Sequence, residues 1–310
     1  MIEMWALCGL VLAGASVISN DAVQTLGTFM ASNKQTSWWK LWGAASAVLV
    51  STVLYSWFAY NGDISFGRLD KIPYIQVEWY HALAPAVLLM LTRFGIPVST
   101  TFLVLSAFAS TIVFEKMLVK SMLGYAIAAV VAYGFWMVIS KFLDEKKKVD
   151  SNHEKYWRVA QWCTTGFLWF TWLSHDLANI AVFAPRQMSP EFLVGTIAML
   201  VGMLGFIFYE RGGKIQQIVI EKTTTSYVRS ATIIDGVYAF ILLYLKQMNN
   251  IPMSTTWVFV GLLCGRELAI ATRKNKKIKK VFPMVAKDFM KIMVGLGVSI
   301  GIVLLVQALS

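Results

Sequence analysis

Long apolar runs separated by short polar loops dominate the chain. Four of them occupy residues 41–60, 117–143, 192–209 and 290–309. Two more, 1–18 and 157–173, end at the polar tripeptides 19–21 and 174–176. A helix of about 20 mostly apolar residues is long enough to cross a bilayer. The pattern therefore predicts an all-α integral membrane protein, and a 57% apolar, 15% charged composition excludes an ordinary soluble domain.

A short proline-hydroxyl motif occurs twice. Ile-Pro-Val-Ser-Thr-Thr at 96–101 returns as Ile-Pro-Met-Ser-Thr-Thr at 251–256, so that Pro97 and Pro252 are separated by half of the 310 residues. The same offset relates Ser-Asn-Asp at 19–21 to Ser-His-Asp at 174–176. Equal offsets indicate an internal duplication. We predict two repeats, 1–155 and 156–310, within one membrane unit.

Each proline-hydroxyl motif lies inside a helical hairpin. In the first half the arms are 78–95 and 102–114, both too short to cross a bilayer, and the second hairpin covers 231–271. Proline cannot continue a helix, whereas Ser99 and Ser254 suit the N-cap of the next one. We therefore predict, in each half, three transmembrane helices, the first of them interrupted, and one re-entrant hairpin.

An odd number of crossings per half requires the second half to insert upside down relative to the first. The loops 31–40, 141–158, 210–229 and 266–291 then share one side and hold 21 of the 28 basic residues. Basic loops remain cytoplasmic, which places both termini outside the plasma (inner) membrane. Topology thus accounts for the net charge of +11, and no nucleic-acid partner is expected. A homodimer in the lipid bilayer is left open.

The two motifs also supply candidate chemistry for an anion. Helix N-termini present N–H groups and a positive dipole end to anions. Corresponding interruptions of inverted repeats meet near the middle of the membrane. We expect one tetrahedral oxyanion to be bound there by Asp21, Ser99, Thr100, Thr101, Asp176, Ser254, Thr255 and Thr256.

The two aspartates require a cation beside that anion. Asp21, Asp176 and a phosphate dianion would together place about four negative charges in one pocket of low dielectric constant. Binding of a cation with the anion solves this problem and couples the two. Carboxylate and amide oxygens of Asn20, Asp21, Gln24, Asp176 and Asn179 are the expected sodium ligands. Protonation of the aspartates is the alternative, as is sulfate or another oxyanion as the cargo.

The paired Asn-Asp-type tripeptides and Pro-x-Ser-Thr-Thr hairpins resemble the PiT inorganic phosphate transporters, a family of cation-coupled symporters. The resemblance covers both halves, although Gln24 and His175 stand where that family has Asn. It implies that phosphate and cations are bound by Asn20, Asp21, Gln24, Ser99, Thr100, Thr101, His175, Asp176, Asn179, Ser254, Thr255 and Thr256. The function predicted is import of inorganic phosphate with sodium, without catalytic residues or a resident cofactor.

Two other classes of protein remain open. A membrane-embedded hydrolase would use His175 and Asp176 with a hydroxyl nucleophile, although adjacent helical residues point about 100° apart. A passive anion channel would ignore ion gradients. Arg93, near the first hairpin tip, is a candidate gating or phosphate-contacting residue. Asp235 has no acidic counterpart in the other half and is expected to be a helix-end or ion-pair group.

Overall fold

The computed structural model describes residues 3–93, 98–139, 151–212, 227–273 and 282–309. Within these ranges every regular element is helical. The first half contains α1 (Met4–Ser16), a π-helical segment (Val17–Ala22), α2 (Val23–Ser32), α3 (Trp38–Ala59), a 3₁₀ turn (Trp79–Ala82), α4 (Leu83–Arg93), α5 (Thr100–Val104), a second 3₁₀ turn (Leu105–Ala107) and α6 (Thr111–Ile139). The second half contains α7 (Ser151–Asp176), α8 (Ala178–Ala181), α9 (Pro190–Tyr209), α10 (Val228–Met248), α11 (Thr255–Arg273) and α12 (Phe282–Leu309).

Six helices in the described ranges have the length and composition to cross a membrane. Five correspond to predicted spans: Met4–Ala22, Trp38–Ala59, Thr111–Ile139, Pro190–Tyr209 and Val285–Val306. The sixth, Val228–Met248, is an arm of the predicted second hairpin. The 26 residues of α7 are also enough to cross, but its two ends are polar. The all-α membrane class is therefore confirmed, whereas the inverted relation of the halves stays a prediction.

The two hairpins differ in length. In the first, α4 and α5 hold 11 and 5 residues, so both arms are short. In the second, α10 and α11 hold 21 and 19 residues, which is enough to cross a bilayer. The second hairpin therefore has longer arms than the first, and its re-entrant path stays a prediction. Residues 94–97, which include Pro97, lie outside the described part.

The first predicted interruption is a change of helix type. Val17–Ala22 forms a π-helix between α1 and α2, so the backbone remains helical through Asn20 and Asp21. In the second half only Leu177 separates α7 from α8, and its N–H donates to the oxygen of Leu173 at 3.0 Å. Widened π turns occur at functional sites in other helices. The predicted interruption at 19–21 is therefore a π-helical segment within a continuous helix, and its wider turn accommodates the polar side chains.

Close helix contacts hold the second hairpin in place. α11 packs along α6, and α10 packs along α7. A Cβ atom on Gly265 would lie 2.8 Å from the carbonyl carbon of Ala129, and one on Gly261 would lie 3.1 Å from that of Tyr125. Glycines four residues apart allow two membrane helices to approach this closely. The backbone of α11 is thus fixed against that of α6.

Candidate functional site

Asp21 lies buried in the π-helical segment. Its Oδ1 accepts a hydrogen bond of 2.7 Å from the side-chain amide of Asn20, and its Oδ2 accepts one from the hydroxyl of Thr100. The Asn20 amide also donates to the backbone oxygen of Val98 at 3.0 Å. These bonds join the π-helical segment to residues 98–101, which we call the first tip.

Asp176, the last residue of α7, is buried near the same place. Its Oδ1 accepts hydrogen bonds from the Asn179 amide at 2.9 Å and from the Thr101 hydroxyl at 3.4 Å. The side chain of Thr255 also interacts with this carboxyl group. Asp21 and Asp176 are close enough for their charges to interact. Hydroxyls from both hairpins therefore reach Asp176.

The second tip, residues 249–256, contacts the first tip directly. The Thr101 hydroxyl is 3.1 Å from the backbone oxygen of Met253, and the rings of Phe102 and Trp257 have centroids 5.3 Å apart. The hydroxyl of Tyr238 on α10 donates to the backbone oxygen of Thr255 at 2.9 Å. The structure thus brings the two tips together beside the two aspartates.

The two serines of the motifs act as helix caps. Ser99 Oγ accepts from the N–H of Phe102 at 3.3 Å, and Ser254 Oγ accepts from the N–H of Trp257 at 3.2 Å. This confirms the capping role predicted from the sequence. The N–H of Ser254 donates to Ser121 Oγ at 2.8 Å. Each capping hydroxyl still has its hydrogen, because an accepting hydroxyl can also donate.

Several buried polar atoms at the site lack a partner among the residues that the structure describes. Buried polar groups are normally hydrogen-bonded, so each exception needs an explanation. The unpartnered acceptor atoms are Asn20 Oδ1, Asn179 Oδ1 and Asp176 Oδ2. The unpartnered donor atoms are Gln24 Nε2 and Arg68 Nη2. Oxygen atoms suit a cation such as sodium, whereas N–H groups suit an anion. Thr256 is buried in the first turn of α11.

His175 faces away from the aspartate that follows it. Its Nε2 is 2.9 Å from the backbone oxygen of Leu242 and therefore carries the hydrogen. Its Nδ1 has no partner among the described residues. Neither ring nitrogen contacts Asp176, so the acid–base relay that a hydrolase would need is absent from this arrangement. Nδ1 remains an acceptor that could serve a cation.

Comparison with solved structures places this geometry in a known fold. The chain is similar to a protein described as "The sodium-dependent phosphate transporter", with a TM-score of 0.62 over 99% of this chain and 98% of that one. The two sequences are 17% identical. No protein-family model matches the chain, and neither does any curated protein. The chain has the fold of a membrane transporter.

Two buried basic residues near the second tip escape sequence reasoning. Arg68, in the loop after α3, donates from Nε to the backbone oxygen of Ser174 at 2.8 Å. Lys120 on α6 donates to the backbone oxygens of Asn249 and Ile251 at 2.8 and 2.9 Å. Neither residue belongs to a repeated motif. Their place near the second tip becomes visible only in the fold, where the loop after α3 and helix α6 both approach that tip.

Asp235 is neither at a helix end nor part of an ion pair among the described residues, so the expectation from the sequence is wrong. It is buried on α10, where Oδ1 accepts from the Thr28 hydroxyl at 2.6 Å and Oδ2 accepts from the Thr165 hydroxyl at 2.5 Å. One carboxyl group therefore ties α10 to α2 and α7. Arg93 ends α4, and the structure does not describe its side chain.

Proposed function

We propose that the chain is a secondary active transporter that imports inorganic phosphate together with sodium ions. The observation that carries this proposal is the set of unpaired buried oxygens and unpaired buried N–H donors around Asp21 and Asp176. Such a site can hold a cation and an anion side by side. The similarity of the fold to a protein described as a sodium-dependent phosphate transporter supports the same conclusion.

The cation ligands proposed are the carboxylates of Asp21 and Asp176 with the amide oxygens of Asn20 and Asn179. Oxygen donors of this kind are the ones that hard cations prefer. Gln24, whose Nε2 is buried without a partner among the described residues, is a further proposed ligand through its amide oxygen. His175 contributes at most Nδ1, because Nε2 is used by Leu242.

The oxyanion ligands proposed are the hydroxyls and first N–H groups of the two tips. The first N–H groups of a helix have no intrahelical acceptor and are directed out of its N-terminus. Thr100 and Thr101 begin α5, and Thr255 and Thr256 begin α11. Together with Ser99 and Ser254, these residues are the proposed hydrogen-bond donors to a tetrahedral oxyanion.

The threonine hydroxyls provide a physical route for coupling. Thr100 donates its single hydroxyl hydrogen to Asp21, and Thr101 is shared between Asp176 and Met253. A hydroxyl has one hydrogen, so it cannot donate to an anion and a carboxylate at once. A cation bound to the carboxylate replaces that hydrogen bond and frees the hydroxyl for the anion. Sodium and oxyanion therefore bind well only together.

The decisive experiment measures uptake of labelled inorganic phosphate into proteoliposomes. Sodium and pH gradients are imposed separately, and sulfate is added as a competitor. We expect uptake that follows the sodium gradient and resists sulfate. Uptake driven by the pH gradient alone indicates proton coupling, inhibition by equal sulfate indicates a broader oxyanion carrier, and uptake without either gradient indicates a passive channel.

Two substitutions test the role of the aspartates in the same assay. Asp21→Asn and Asp176→Asn should each reduce gradient-driven uptake to the level of empty liposomes, because the cation loses its charged ligand. Asp70→Asn, at an exposed loop aspartate, is the matched control and should retain uptake. Normal uptake by both Asp21→Asn and Asp176→Asn would refute the proposed role of the aspartates in coupling.

A further inference from the structure

Arg68 is a buried arginine that forms no ion pair with a carboxylate in the described part of the chain. It is 1% exposed, and its Nε and Nη1 donate to the backbone oxygens of Ser174 and Ile251 at 2.8 and 3.3 Å. Its Nη2 is buried and has no acceptor among the described residues. One arginine thus bridges the end of α7, just before Asp176, and the second tip, and keeps one donor unused.

Lys120 brings a second basic side chain to the same place. Its Nζ is 2.9 Å from the Ile251 oxygen that Arg68 also contacts. The two nitrogen atoms are therefore no more than about 6 Å apart, a distance at which like charges repel. In the described ranges neither residue forms an ion pair with a carboxylate; the pairs found there are Arg158–Glu154 and Arg266–Glu267.

The guanidinium keeps its charge in this setting. Burial lowers the pKa of Arg68 to about 10, while the negative charge of Asp176 acts in the opposite direction. Arg68 is therefore protonated at neutral pH. Backbone carbonyl oxygens stabilise a cation but do not neutralise it, and an uncompensated buried charge is costly. Asp176 offsets part of the charge of Arg68, but the buried Nη2 still has no acceptor among the described residues.

We propose that Arg68 is a further oxyanion-binding residue, whose unpaired Nη2 donates to the anion held between the tips, with the Lys120 side chain beside it. This inference rests on the proposed function and extends its site toward the loop that follows α3. A guanidinium with a free N–H is well suited to a phosphate oxygen, because its donors match that geometry and it cannot lose its proton at physiological pH.

The proposal changes the charge balance of transport. With Arg68 in place, the protein itself supplies a positive charge against Asp21 and Asp176. The coupling ions then need to neutralise one negative charge fewer. The arrangement is also one-sided, because the residue that corresponds to Arg68 by the offset of the repeat is Thr223. The second tip therefore carries the stronger attraction for the anion.

The test compares two affinities of the purified protein. Binding of inorganic phosphate at saturating sodium is measured by calorimetry, and binding of sodium without phosphate is followed by tryptophan fluorescence. Arg68→Gln should weaken phosphate binding by about tenfold or more, the equivalent of one lost charge-assisted hydrogen bond. The same change removes a positive charge near Asp176, so sodium binding should stay equal or become tighter. A purely structural role for Arg68 would weaken both.

Two further variants make the result specific. Arg68→Lys keeps the charge but loses the fork of donors, so we expect about threefold weaker phosphate binding and unchanged sodium binding. Arg186→Gln is the matched control. Arg186 also donates to two backbone oxygens, those of Ile72 and Pro73, but its charged neighbours are Asp63 and Asp70. Both affinities should remain within about twofold of the native values in this control.

The outcomes separate this inference from the function on which it rests. Unchanged phosphate binding in Arg68→Gln and Arg68→Lys would leave the proposed function intact and overturn the role of Arg68. Parallel loss of both affinities in these variants also overturns it and leaves Arg68 as a structural tie. A native protein that binds sodium but neither phosphate nor sulfate refutes the proposed function, and the oxyanion role of Arg68 with it.

Discussion

Replacing Gly265 by alanine tests the close contact between α11 and α6. The new Cβ atom would lie 2.8 Å from the carbonyl carbon of Ala129, and closer still to its oxygen. Ordinary carbon–carbon contacts begin near about 3.5 Å, so the two backbones must separate by roughly 0.7 Å or more. A helix backbone cannot turn aside as a flexible side chain can. The substitution therefore shifts α11, and with it Thr255 at the start of the helix.

The expected cost follows from two opposing effects. Overpacking a well-packed contact costs about 1–3 kcal/mol. Alanine is the better helix former and recovers up to about 1 kcal/mol. We expect a net destabilisation of about 1–2 kcal/mol, which corresponds to a fall in melting temperature of about 2–8 °C. Gly261→Ala should have a smaller effect, because its nearest carbonyl carbon, that of Tyr125, is 3.1 Å away.

The assay is thermal unfolding of the purified protein in one detergent, followed by circular dichroism, with sodium-dependent phosphate binding as a second readout. Gly134→Ala in α6 is the control, since its Cβ would meet no atom of the described chain within 4 Å. That variant should be as stable as the native protein or more so. Equal melting temperatures for Gly265→Ala and Gly134→Ala would refute the argument from backbone contact.

Three other results are expected. Ser121→Ala leaves the buried N–H of Ser254 without its acceptor and should cost about 1–3 kcal/mol, seen as faster amide hydrogen exchange at the second tip; unchanged exchange there would contradict this. Thr165→Val removes one of the two hydroxyl partners of Asp235 and should destabilise the protein by a similar amount of about 1–3 kcal/mol, whereas a neutral effect on the melting temperature would show that the contact contributes little. Replacing sodium by choline should weaken phosphate binding by about tenfold or more, and equal affinity in both salts would exclude coupling through shared charge.

The sequence predicts the membrane class and several residues of the candidate site, because both are recorded in regularities that extend along the whole chain. Apolar runs of the right length locate five of the six spans. The repeated motif identifies Thr101 and Thr255, which the structure places at Asp176. The serine caps follow from local chemistry alone. Such features need no knowledge of which loop folds over which helix.

Other features depend on the three-dimensional arrangement and could not be predicted. Polar residues in an apolar helix suggest an interruption at 19–21, but they do not distinguish a break from the π turn that accommodates Asn20 and Asp21. Arg68 belongs to a polar loop whose charges look solvent-exposed, and only the fold buries it. The different lengths of the two hairpins could not be predicted either, because the repeated motif suggests that the second hairpin is a copy of the first.

The unequal arms of the two hairpins make the two sides of the site mechanically different. α5 has 5 residues and is followed by a short 3₁₀ turn, whereas α11 has 19 and is fixed to α6 through Gly261 and Gly265. The first tip is attached to a five-residue helix and is held by hydrogen bonds to Asn20 and Asp21, whereas the second tip moves only if a two-helix unit moves with it. We therefore expect the first tip to move on a faster timescale than the second, so that the two sides of the proposed site differ in how readily they open.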